Sequence, residues 1–478
     1  MAEFRLETGF PFEKGHRRPT LSSKAKHACV ILMLVAFVLG TILLNIYRWI
    51  PQAGICGQII EFVSLIVGIS PFFSVPVAIF NCIALILYNP FHQNAVSQPA
   101  SVSIPFICFR IVTRGNIPGF VIKNAAYNRD LCLKFGLQRF VIEIVSDKAI
   151  NCQEKDMIRE IVVPKSYRTG NGSLYKARAL NYCLEKHVNT YAGNDWIVHL
   201  DEETLLTEAS LSGILHFTTE GSGDIGQGPI NYASGQIIHN WVTTLADSMR
   251  LAIDYSLFRF QFAFLQRPVF GFKGSYIVIR NKVEMEVGLD NGPDGSIAED
   301  CFFALKAWSS GYKFGFITGE MNEMSPFTLK DYILQRRRWF VGQVYCVLSK
   351  EIPVVNKLGI SLSLLCCVLM PISLSNILFD IACPVQKPML YCYLNGLIGG
   401  TFAFLYCFGT CISCAKRNWS GLRLIIVSIC CIFIIPIAAA MESIAIYWGL
   451  FTIKSKEFFI VQKDFPNANE RRGHVKVV

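Results

Sequence analysis

Charged residues are scarce in this 478-residue chain and make up 17% of it, whereas soluble globular proteins carry about 25%. Hydrophobic residues account for 52%, and the mean hydropathy is +0.39. This composition excludes an intrinsically disordered chain, which combines low hydrophobicity with high net charge. It also argues against a purely soluble protein.

Long runs without charged residues are concentrated towards the two ends of the chain. Each uncharged run is long enough to cross a membrane, which takes about 20 apolar residues. The first run is also longer than the roughly 7–15-residue core of a signal peptide, so we interpret it as an uncleaved anchor. We predict a multi-pass membrane protein, with two transmembrane helices in 28–90 and three or more segments in 356–453. Only Glu442 interrupts the last of the five runs, which are 28–47, 62–89, 358–379, 388–415 and 424–453.

Lysine and arginine next to these runs indicate their orientation. The N-terminal tail, 1–27, carries six basic residues, whereas the 48–61 connection carries Arg48 alone. We therefore predict a cytosolic basic tail, and two crossings then return residues 90–357 to the cytosol.

The last run conflicts with this rule. A single crossing by 424–453 would leave the basic C-terminal tail, 454–478, in the lumen. A re-entrant or split segment around Pro436 and Glu442 would remove the conflict, and we favour a cytosolic C-terminus.

A second Cys-x-x-Cys pair is also missing. Cys411 and Cys414 have this spacing, but without a partner pair they do not predict a zinc site. Most of the 18 cysteines lie within or beside the apolar runs, and those in 90–357 are scattered singly. This pattern predicts reduced thiols, as in the cytosol, and no disulfide framework.

The region 100–350 has a different character, because short apolar runs rich in β-branched and aromatic residues alternate with helix-periodic stretches. This alternation predicts an α/β domain with a largely parallel sheet, inserted between the transmembrane helices. Such sheets bind ligands beyond the carboxyl ends of their strands. The predicted strands are 104–113, 139–146, 159–164 and 195–201, and the clearest helical stretches are 173–187 and 205–217.

Two acidic groups are candidates for chemistry. Asp201 and Glu203 follow the apolar strand Trp-Ile-Val-His-Leu directly, and carboxylates there suit Mg²⁺ or Mn²⁺. Glu299 and Asp300 follow the loop 290–296, and an acid at the start of the next helix could act as a general base. Taken alone, either group is better explained as an ordinary acidic helix N-terminus.

Two basic groups are candidates for binding phosphate. The Gln-Arg-Arg-Arg-Trp sequence at 335–339 lies in a helical stretch, 329–345, and arginine forks match phosphate oxygens. We place Arg336 and Arg337 nearer the flanks, where anionic headgroups could bind them. The alternative is a basic helix face at the membrane. Lys176, early in the helix that follows a glycine-containing loop, could also reach a phosphate.

Together, the order of these elements resembles family 2 glycosyltransferases with the GT-A fold. The resemblance covers about 104–345: a strand ending in Asp147, Lys176 on a helix, Asp201-x-Glu203, Ala-Glu-Asp at 298–300, and Gln-x-x-Arg-Trp about 35 residues later. Three segments, LDEET at 200–204, FGFKGSY at 270–276 and QRRRWFVGQ at 335–343, are most similar to the egghead-type β-1,4-mannosyltransferases. One departure is Glu203, because the family's second acid is usually aspartate, and Glu202 could replace it.

The resemblance implies a role for each residue and a divalent metal, Mg²⁺ or Mn²⁺, as cofactor. Asp300 is the implied catalytic base, Asp201 and Glu203 hold the metal, and Glu299 and Trp339 border the acceptor. The implied donor-binding residues are Thr113, Arg114, Asp147, Lys176, Asp201, Gln335 and Arg338.

The implied activity is transfer of a single sugar with inversion, mannose from GDP-mannose in β-1,4 linkage, to a lipid-linked acceptor such as glucosylceramide in glycosphingolipid synthesis. We expect a nucleotide sugar, a glycolipid and membrane lipids as partners, and no nucleic acid. The expected location is the endoplasmic reticulum or Golgi, with the catalytic domain facing the cytosol. The alternatives are a processive polysaccharide synthase and, more distantly, a transporter or scaffold.

Overall fold

The structure, a computed structural model, describes residues 21–47, 58–92, 104–152, 157–221, 223–233, 238–382, 387–417, 419–454 and 459. The basic N-terminal tail up to residue 20, and nearly all of the basic C-terminal tail, lie outside the described residues.

A seven-stranded mixed sheet forms the centre of the domain between the membrane helices. Its order is β3-β2-β1-β4-β7-β5-β8, and a two-stranded sheet pairs β6 with β9. The first four strands are parallel to one another, and β7 runs antiparallel to both neighbours. The strands are β1 (Ile107–Thr113), β2 (Phe140–Ser146), β3 (Ile158–Val162), β4 (Trp196–Asp201), β5 (Ile225–Gln227), β6 (Ile230–Asn231), β7 (Ile277–Arg280), β8 (Phe314–Phe316) and β9 (Met321–Asn322).

The four predicted strands are confirmed as β1 to β4, and the α/β architecture is confirmed with them. The predicted helix at 173–187 is shorter than expected, and the one at 205–217 starts later, after the capping residue Thr207. The domain helices are α4 (Pro118–Lys134), α5 (Tyr175–Tyr182), α6 (Glu208–Glu220), α7 (Trp241–Ile253), α8 (Arg259–Ala263), α9 (Asn281–Val287), α10 (Glu299–Ser309) and α11 (Leu329–Leu348).

Buried charges tie the middle of the sheet together. Arg110 in β1 is fully buried and donates from Nε to Oε1 of Glu143 in β2 at 2.6 Å. Its guanidinium also lies 3.3 Å from Glu284 in α9, whose carboxylate is 2.9 Å from Nε2 of His199 in β4. Because a buried charge needs a partner, these contacts hold β1, β2, β4 and α9 in a fixed relation. The carboxyl ends of the same strands form the candidate site.

Five helices in the described residues are long and apolar enough to cross a membrane. They correspond to the five apolar runs, with the second run divided by a short 3₁₀ helix. Small residues allow α1 and α13 to pack closely, since a Cβ on Gly396 would lie 2.4 Å from a side-chain carbon of Ile42. The helices outside the domain are α1 (Ser23–Tyr47), α2 (Gln58–Val67), α3 (Val75–Leu87), α12 (Val354–Ala382), α13 (Met389–Ala415) and α14 (Gly421–Phe451).

The structure excludes one of the courses left open for the last apolar run. A split around Pro436 is wrong, because α14 is one continuous helix that contains this proline. Glu442 does not break the helix either, since its carboxylate accepts hydrogen bonds from Tyr332 and Arg336 of α11, each at 2.8 Å. The charge in the run is therefore matched by partners in the domain. The cysteines in the described residues are all free thiols.

Candidate active site

Polar side chains from three neighbouring parallel strands meet at one edge of the sheet. Thr113 ends β1, Asp147 follows β2 and Asp201 ends β4. Thr113 Oγ1 donates to Glu202 at 2.6 Å, and Asp147 accepts from Arg178 of α5 at 2.5 Å. The structure thus brings together the side chains predicted from the strand ends.

Lys176 lies at the centre of this cluster, in the first turn of α5. Its Nζ donates to Oδ1 of Asp201 at 2.5 Å and to the carbonyl oxygen of Gly274 at 2.9 Å, and it lies 3.9 Å from Glu299. Burial opposes the charge on Lys176, but Asp201, Glu299 and Asp300 outweigh it and raise the pKa of the amine. Lys176 is therefore a permanent cation among three carboxylates.

Two loops hold Lys176 in this position. The carboxylate of Asp290 accepts from the backbone N–H of Asn171 at 2.7 Å and of Ser173 at 3.3 Å. The backbone N–H of Leu174 donates to Oγ of Ser296 at 2.9 Å. The glycine-containing loop before α5 is therefore fastened to the acidic loop before α10.

Glu299 and Asp300 begin α10 and face Lys176. Burial and the adjacent Asp300 raise the pKa of Glu299 to about 7, against the opposing effect of Lys176 and Arg338. Burial also raises the pKa of Asp300. Gly274 permits the close approach, since a Cβ there would lie 3.0 Å from Oδ2 of Asp300.

A pocket extends inward from these two acids. Apolar side chains of Leu180, Leu289 and Phe303 line it, and His199 and Glu284 lie beside them. The pocket therefore connects the acidic edge of the sheet to the buried charges that hold the strands together.

The predicted phosphate-binding helix, α11, lies beside this edge. Arg338 is close enough to Glu299 and Asp300 to lower the pKa of both. The ring of Trp339 lies under the guanidinium groups of Arg250 and Arg336, each 4.3 Å from its centroid. Arg338 is thus the cationic side chain of α11 that acts on the two acids, and its role toward the donor stays a prediction.

Residues 196–441, more than half of the chain, match the family model described as glycosyl transferase family group 2. The chain belongs to this family. Its domain has the GT-A fold, as the mixed sheet with its parallel centre indicates. As a member of the family, it is a glycosyltransferase.

Named relatives show the same relationship over most of the chain. The glycosyltransferase is 45% identical to "Beta-1,4-mannosyltransferase egh" of Drosophila melanogaster over 391 residues, which are 82% of this chain and 85% of that one. It is 38% identical to "Beta-1,4-mannosyltransferase bre-3" of Caenorhabditis elegans over 464 residues, 94% and 100% of the two chains. Among solved structures, S. aureus TarS 1–349 matches at 10% identity with a TM-score of 0.31, over 66% of this chain and 93% of that one.

Family 2 glycosyltransferases generally use a divalent metal, and the acids at the end of β4 fit one chemically. Burial, Glu203 and Asp201 together raise the pKa of Glu323 to about 7, so negative charge is in excess here. Mg²⁺ is commonly held by one or two carboxylates together with substrate phosphates. Asp201 and Glu203 would supply the carboxylates, and no group of three His, Cys, Asp or Glu in the described part of the chain forms a complete ligand set.

Two site predictions for the glycosyltransferase need correction. Arg336 and Arg337 do not face headgroups, because both are buried. Arg336 forms ion pairs with Asp247 of α7 and Glu442 of α14, and Nε of Arg337 donates to Thr452 at 2.9 Å. The prediction considered α11 alone, whereas α7 and α14 cover this part of its surface.

The remaining predicted residues have simpler surroundings. Arg114 is exposed at the end of β1. Gln335 accepts a hydrogen bond from Arg336 at 3.0 Å. Their roles toward the donor stay predictions.

Sequence reasoning missed several residues of the site. Glu323 lies in the connection after β9, and its Oε1 accepts from Thr204 at 2.7 Å. Arg178 pairs with Asp147, and Asp290 fastens the loop before α5. Arg178 is visible in the sequence as a cation two positions after Lys176 in the same predicted helix. Glu323, in contrast, belongs to no recognisable motif. Only the pairing of Leu205 with Asn322 brings it under the end of β4.

Proposed function

We propose that this glycosyltransferase moves one mannosyl residue from GDP-mannose, in β-1,4 linkage, to a lipid-linked acceptor such as glucosylceramide. The observation that carries the proposal is the cluster of Asp300, Glu299, Lys176 and Asp201 at the carboxyl edge of the sheet, with Arg338 beside it. The names of the relatives support the sugar and the linkage. The apolar helices that flank the domain support a lipid acceptor.

The groups of the site suit a single displacement. Asp300 takes the proton of the acceptor hydroxyl as its oxygen bonds to the anomeric carbon of the donor. The bond from that carbon to the diphosphate oxygen breaks, and the α-linked donor gives a β-linked product. Glu299 and Trp339 border the acceptor in this scheme, and the raised pKa of Asp300 brings it closer to that of an effective base.

The leaving diphosphate gains negative charge, and the site offers cations to stabilise it. Lys176 and Arg338 lie next to the acids, with Gln335 on the same helix as Arg338. Cations held in place before the reaction stabilise such charge without reorganisation. A divalent metal, Mg²⁺ or Mn²⁺, held by Asp201 and Glu203 would add Lewis-acid stabilisation of the same group.

We assign the nucleotide to the part of the sheet edge that is formed by the ends of β1 and β2. Thr113, Arg114 and Asp147 would contact the base or ribose, and the Arg178–Asp147 pair would keep that carboxylate in place. The basic residues near the apolar runs support a domain on the cytosolic side of the endoplasmic reticulum or Golgi, where sugar nucleotides are found.

The experiment is a donor and acceptor screen with membranes that contain the full chain. Radiolabelled GDP-mannose, UDP-glucose, UDP-galactose and UDP-N-acetylglucosamine are each incubated with glucosylceramide, and the lipid product is analysed for sugar, linkage and length. We expect a single β-1,4-mannose on glucosylceramide from GDP-mannose, and no product from membranes with Asp300→Asn. Long chains would indicate a processive synthase instead, and a different donor or lipid would refute the assigned substrates.

A further inference from the structure

Contacts at the ends of the membrane helices show which of these ends lie next to the domain. Asn89, just after α3, donates to Oγ of Ser23 at the start of α1 at 2.9 Å, and Arg259 of the domain donates to the Asn89 carbonyl oxygen at 2.9 Å. Near the start of α12, Ile360 packs against Cys301 of α10. The start of α1, the end of α3 and the start of α12 therefore all lie at the domain.

The end of α13 lies there too. Lys416, directly after α13, forms an ion pair with Glu320, and Arg417 donates to the Ala233 carbonyl oxygen at 2.9 Å. Near this end, a Cβ on Gly409 would lie 2.1 Å from the carbonyl oxygen of Ser248 in α7. Four apolar runs thus account for two pairs of crossings that leave and return on the domain side.

The fifth run, α14, starts on this side and also ends on it. Near its start, Val427 and Cys431 pack in one cluster with Ala233 and Leu245. Near its end, the Ile453 carbonyl oxygen accepts a hydrogen bond from Tyr345 Oη of α11 at 2.5 Å. At 31 residues, α14 is about 46 Å long, so a crossing would place these ends on opposite faces of a hydrocarbon core of about 30 Å.

Contacts along the middle of α14 show the same course. Ala438 and Met441 pack against Tyr332 of α11, and Ile446 packs against Phe340 further along α11. Residue numbers rise together in the two helices, so α14 runs alongside α11 in the same direction. The ion pair of Glu442 with Arg336 fixes the register of the two helices.

α11 itself rests on the catalytic domain. A Cβ on Gly342 would lie 2.6 Å from Cβ of Ala298, and Cys346 packs against Cys301 of α10. A helix that follows α11 for several turns therefore follows the domain surface.

The face of α14 that points away from the domain is a continuous apolar stripe. Its members are separated by four or seven residues, so they share one side of the helix, and they are 44–85% exposed: Leu422, Ile429, Phe433, Ile437, Ile444 and Phe451. The helix carries only two charged residues, Arg423 in its first turn and Glu442, which points at α11. A stripe of this length is too apolar to face water.

We propose that α14 is an in-plane membrane helix, embedded in the bilayer surface on the domain side, and not a fifth crossing. Its buried face packs on α7, α11, α12 and α13, and its stripe contacts the acyl chains at the boundary with the headgroups. In-plane helices usually need a charged face for water, but here the opposite face is covered by the domain. The chain then crosses the membrane four times, and the C-terminus lies on the same side as the domain.

This course would resolve the charge conflict without any break in the helix. The basic tail after α14 and the basic loop at Lys416 and Arg417 would then lie on the same side of the membrane. The inference does not depend on the sugar or the acceptor, so it can fail while the proposed function holds.

The side of the C-terminus is tested by protease protection in sealed microsomes. One epitope tag is placed at the C-terminus, a second in the exposed turn at 309–311 of the domain, and a third in the connection between α1 and α2. Each tagged protein must retain transferase activity. We expect the first two tags to be digested or protected together and the third to behave oppositely. A C-terminal tag that behaves like the third one would overturn the proposal.

The depth of α14 is tested with spin labels on single introduced cysteines in an active background without other reactive thiols. Labels at Leu422→Cys, Ile437→Cys and Phe451→Cys report depth through collision with oxygen and with a polar nickel reagent. We expect similar, shallow depths at the three positions, whereas Leu32→Cys, Leu39→Cys and Leu43→Cys in α1 should show the gradient of a crossing. A maximum at Ile437 with shallow ends would indicate a crossing or a re-entrant hairpin. Shielding of the stripe from both reagents would indicate a protein partner, and either result would refute the in-plane helix.

Discussion

At the scale of single residues, two neighbouring acids of the candidate site have different contacts. Glu299 is buried and has a pKa raised to about 7, whereas Asp300 faces Gly274 and accepts from the backbone N–H of Cys301 at 2.7 Å. Lys176 lies between these acids and Asp201. One cation thus links the proposed base to the proposed metal-binding edge.

Asp300→Asn should lower kcat by about 10²–10⁴-fold, the usual contribution of a general base, and leave donor affinity nearly unchanged. The amide keeps the shape of the side chain but lacks a basic oxygen. Transfer rates and nucleotide binding are measured in matched membranes. Asp130→Asn is the control, because Asp130 is exposed on α4 and forms an ion pair with its neighbour Arg129. A variant within tenfold of wild type would remove Asp300 from the role of base.

Glu203→Ala should raise the Mn²⁺ or Mg²⁺ concentration needed for half-maximal activity by about tenfold or more, and Glu203→Asp should restore part of the loss. Aspartate keeps the charge but ends one methylene short. The measurement is a metal titration of activity, after chelation, for both variants. Glu202→Ala is the matched comparison, since Glu202 is bound to Thr113. If Glu202→Ala alone changes the metal requirement, the ligand is Glu202.

At the scale of elements, α11 packs on the catalytic domain on one side and on the apolar helix α14 on the other. Three successive arginines on this helix have three different surroundings: Arg336 contacts α7 and α14, Arg337 contacts the residue after α14, and Arg338 faces the acids. A helix turns about 100° per residue, so neighbours must face different partners. The basic sequence is therefore three separate contacts rather than one charged face.

Arg338→Ala should weaken donor use, with a rise in donor KM and a fall in kcat that together lower kcat/KM by about 10²-fold, as expected for loss of a charge-assisted contact to phosphate. Arg338→Lys should rescue poorly, because lysine lacks the planar fork. Steady-state kinetics with varied donor measures both. A variant with lysine that performs like wild type would mean that Arg338 contributes charge alone.

Arg336→Ala should destabilise the protein by about 3–5 kcal/mol, the usual cost of leaving buried charges without a partner. Asp247 is almost fully buried, and both Asp247 and Glu442 would lose their shared cation. Thermal stability in detergent measures the effect, and Arg338→Ala serves as the control. Adding Asp247→Asn and Glu442→Gln should recover part of the loss. A stability equal to that of the control would mean that the pairs contribute little.

At the scale of the whole molecule, the catalytic domain and the membrane helices form one packed unit. α7 contacts α13 and α14, α10 contacts α12, and a chain of contacts runs from the acids through α11 to the buried face of α14. A lipid-linked acceptor would therefore meet the catalytic edge close to the membrane surface, next to Trp339.

The sequon at Asn171-Gly172-Ser173 should carry no glycan, because the proposed orientation keeps the domain in the cytosol. Asn171 is also engaged within the fold, since its Nδ2 donates to the Asp290 carbonyl oxygen at 2.8 Å. Glycosidase treatment should leave the mass unchanged in wild type and in Asn171→Gln. A shift that is lost in Asn171→Gln would place the domain in the lumen. We make the same prediction for the sequon at Asn418, which lies outside the described residues.

The sequence by itself determined the strands β1 to β4 and the apolar runs, because both depend on local patterns of hydrophobicity. It also determined the order of Asp201, Asp300 and Arg338 along the chain, since each follows a recognisable element. The tertiary structure decided what each side chain contacts. Arg336 is buried because α7 and α14 pack around it, and Glu323 reaches the site through the pairing of Leu205 with Asn322. The course of α14 also depends on its neighbours: its composition suits a crossing, but both of its ends are held at the domain.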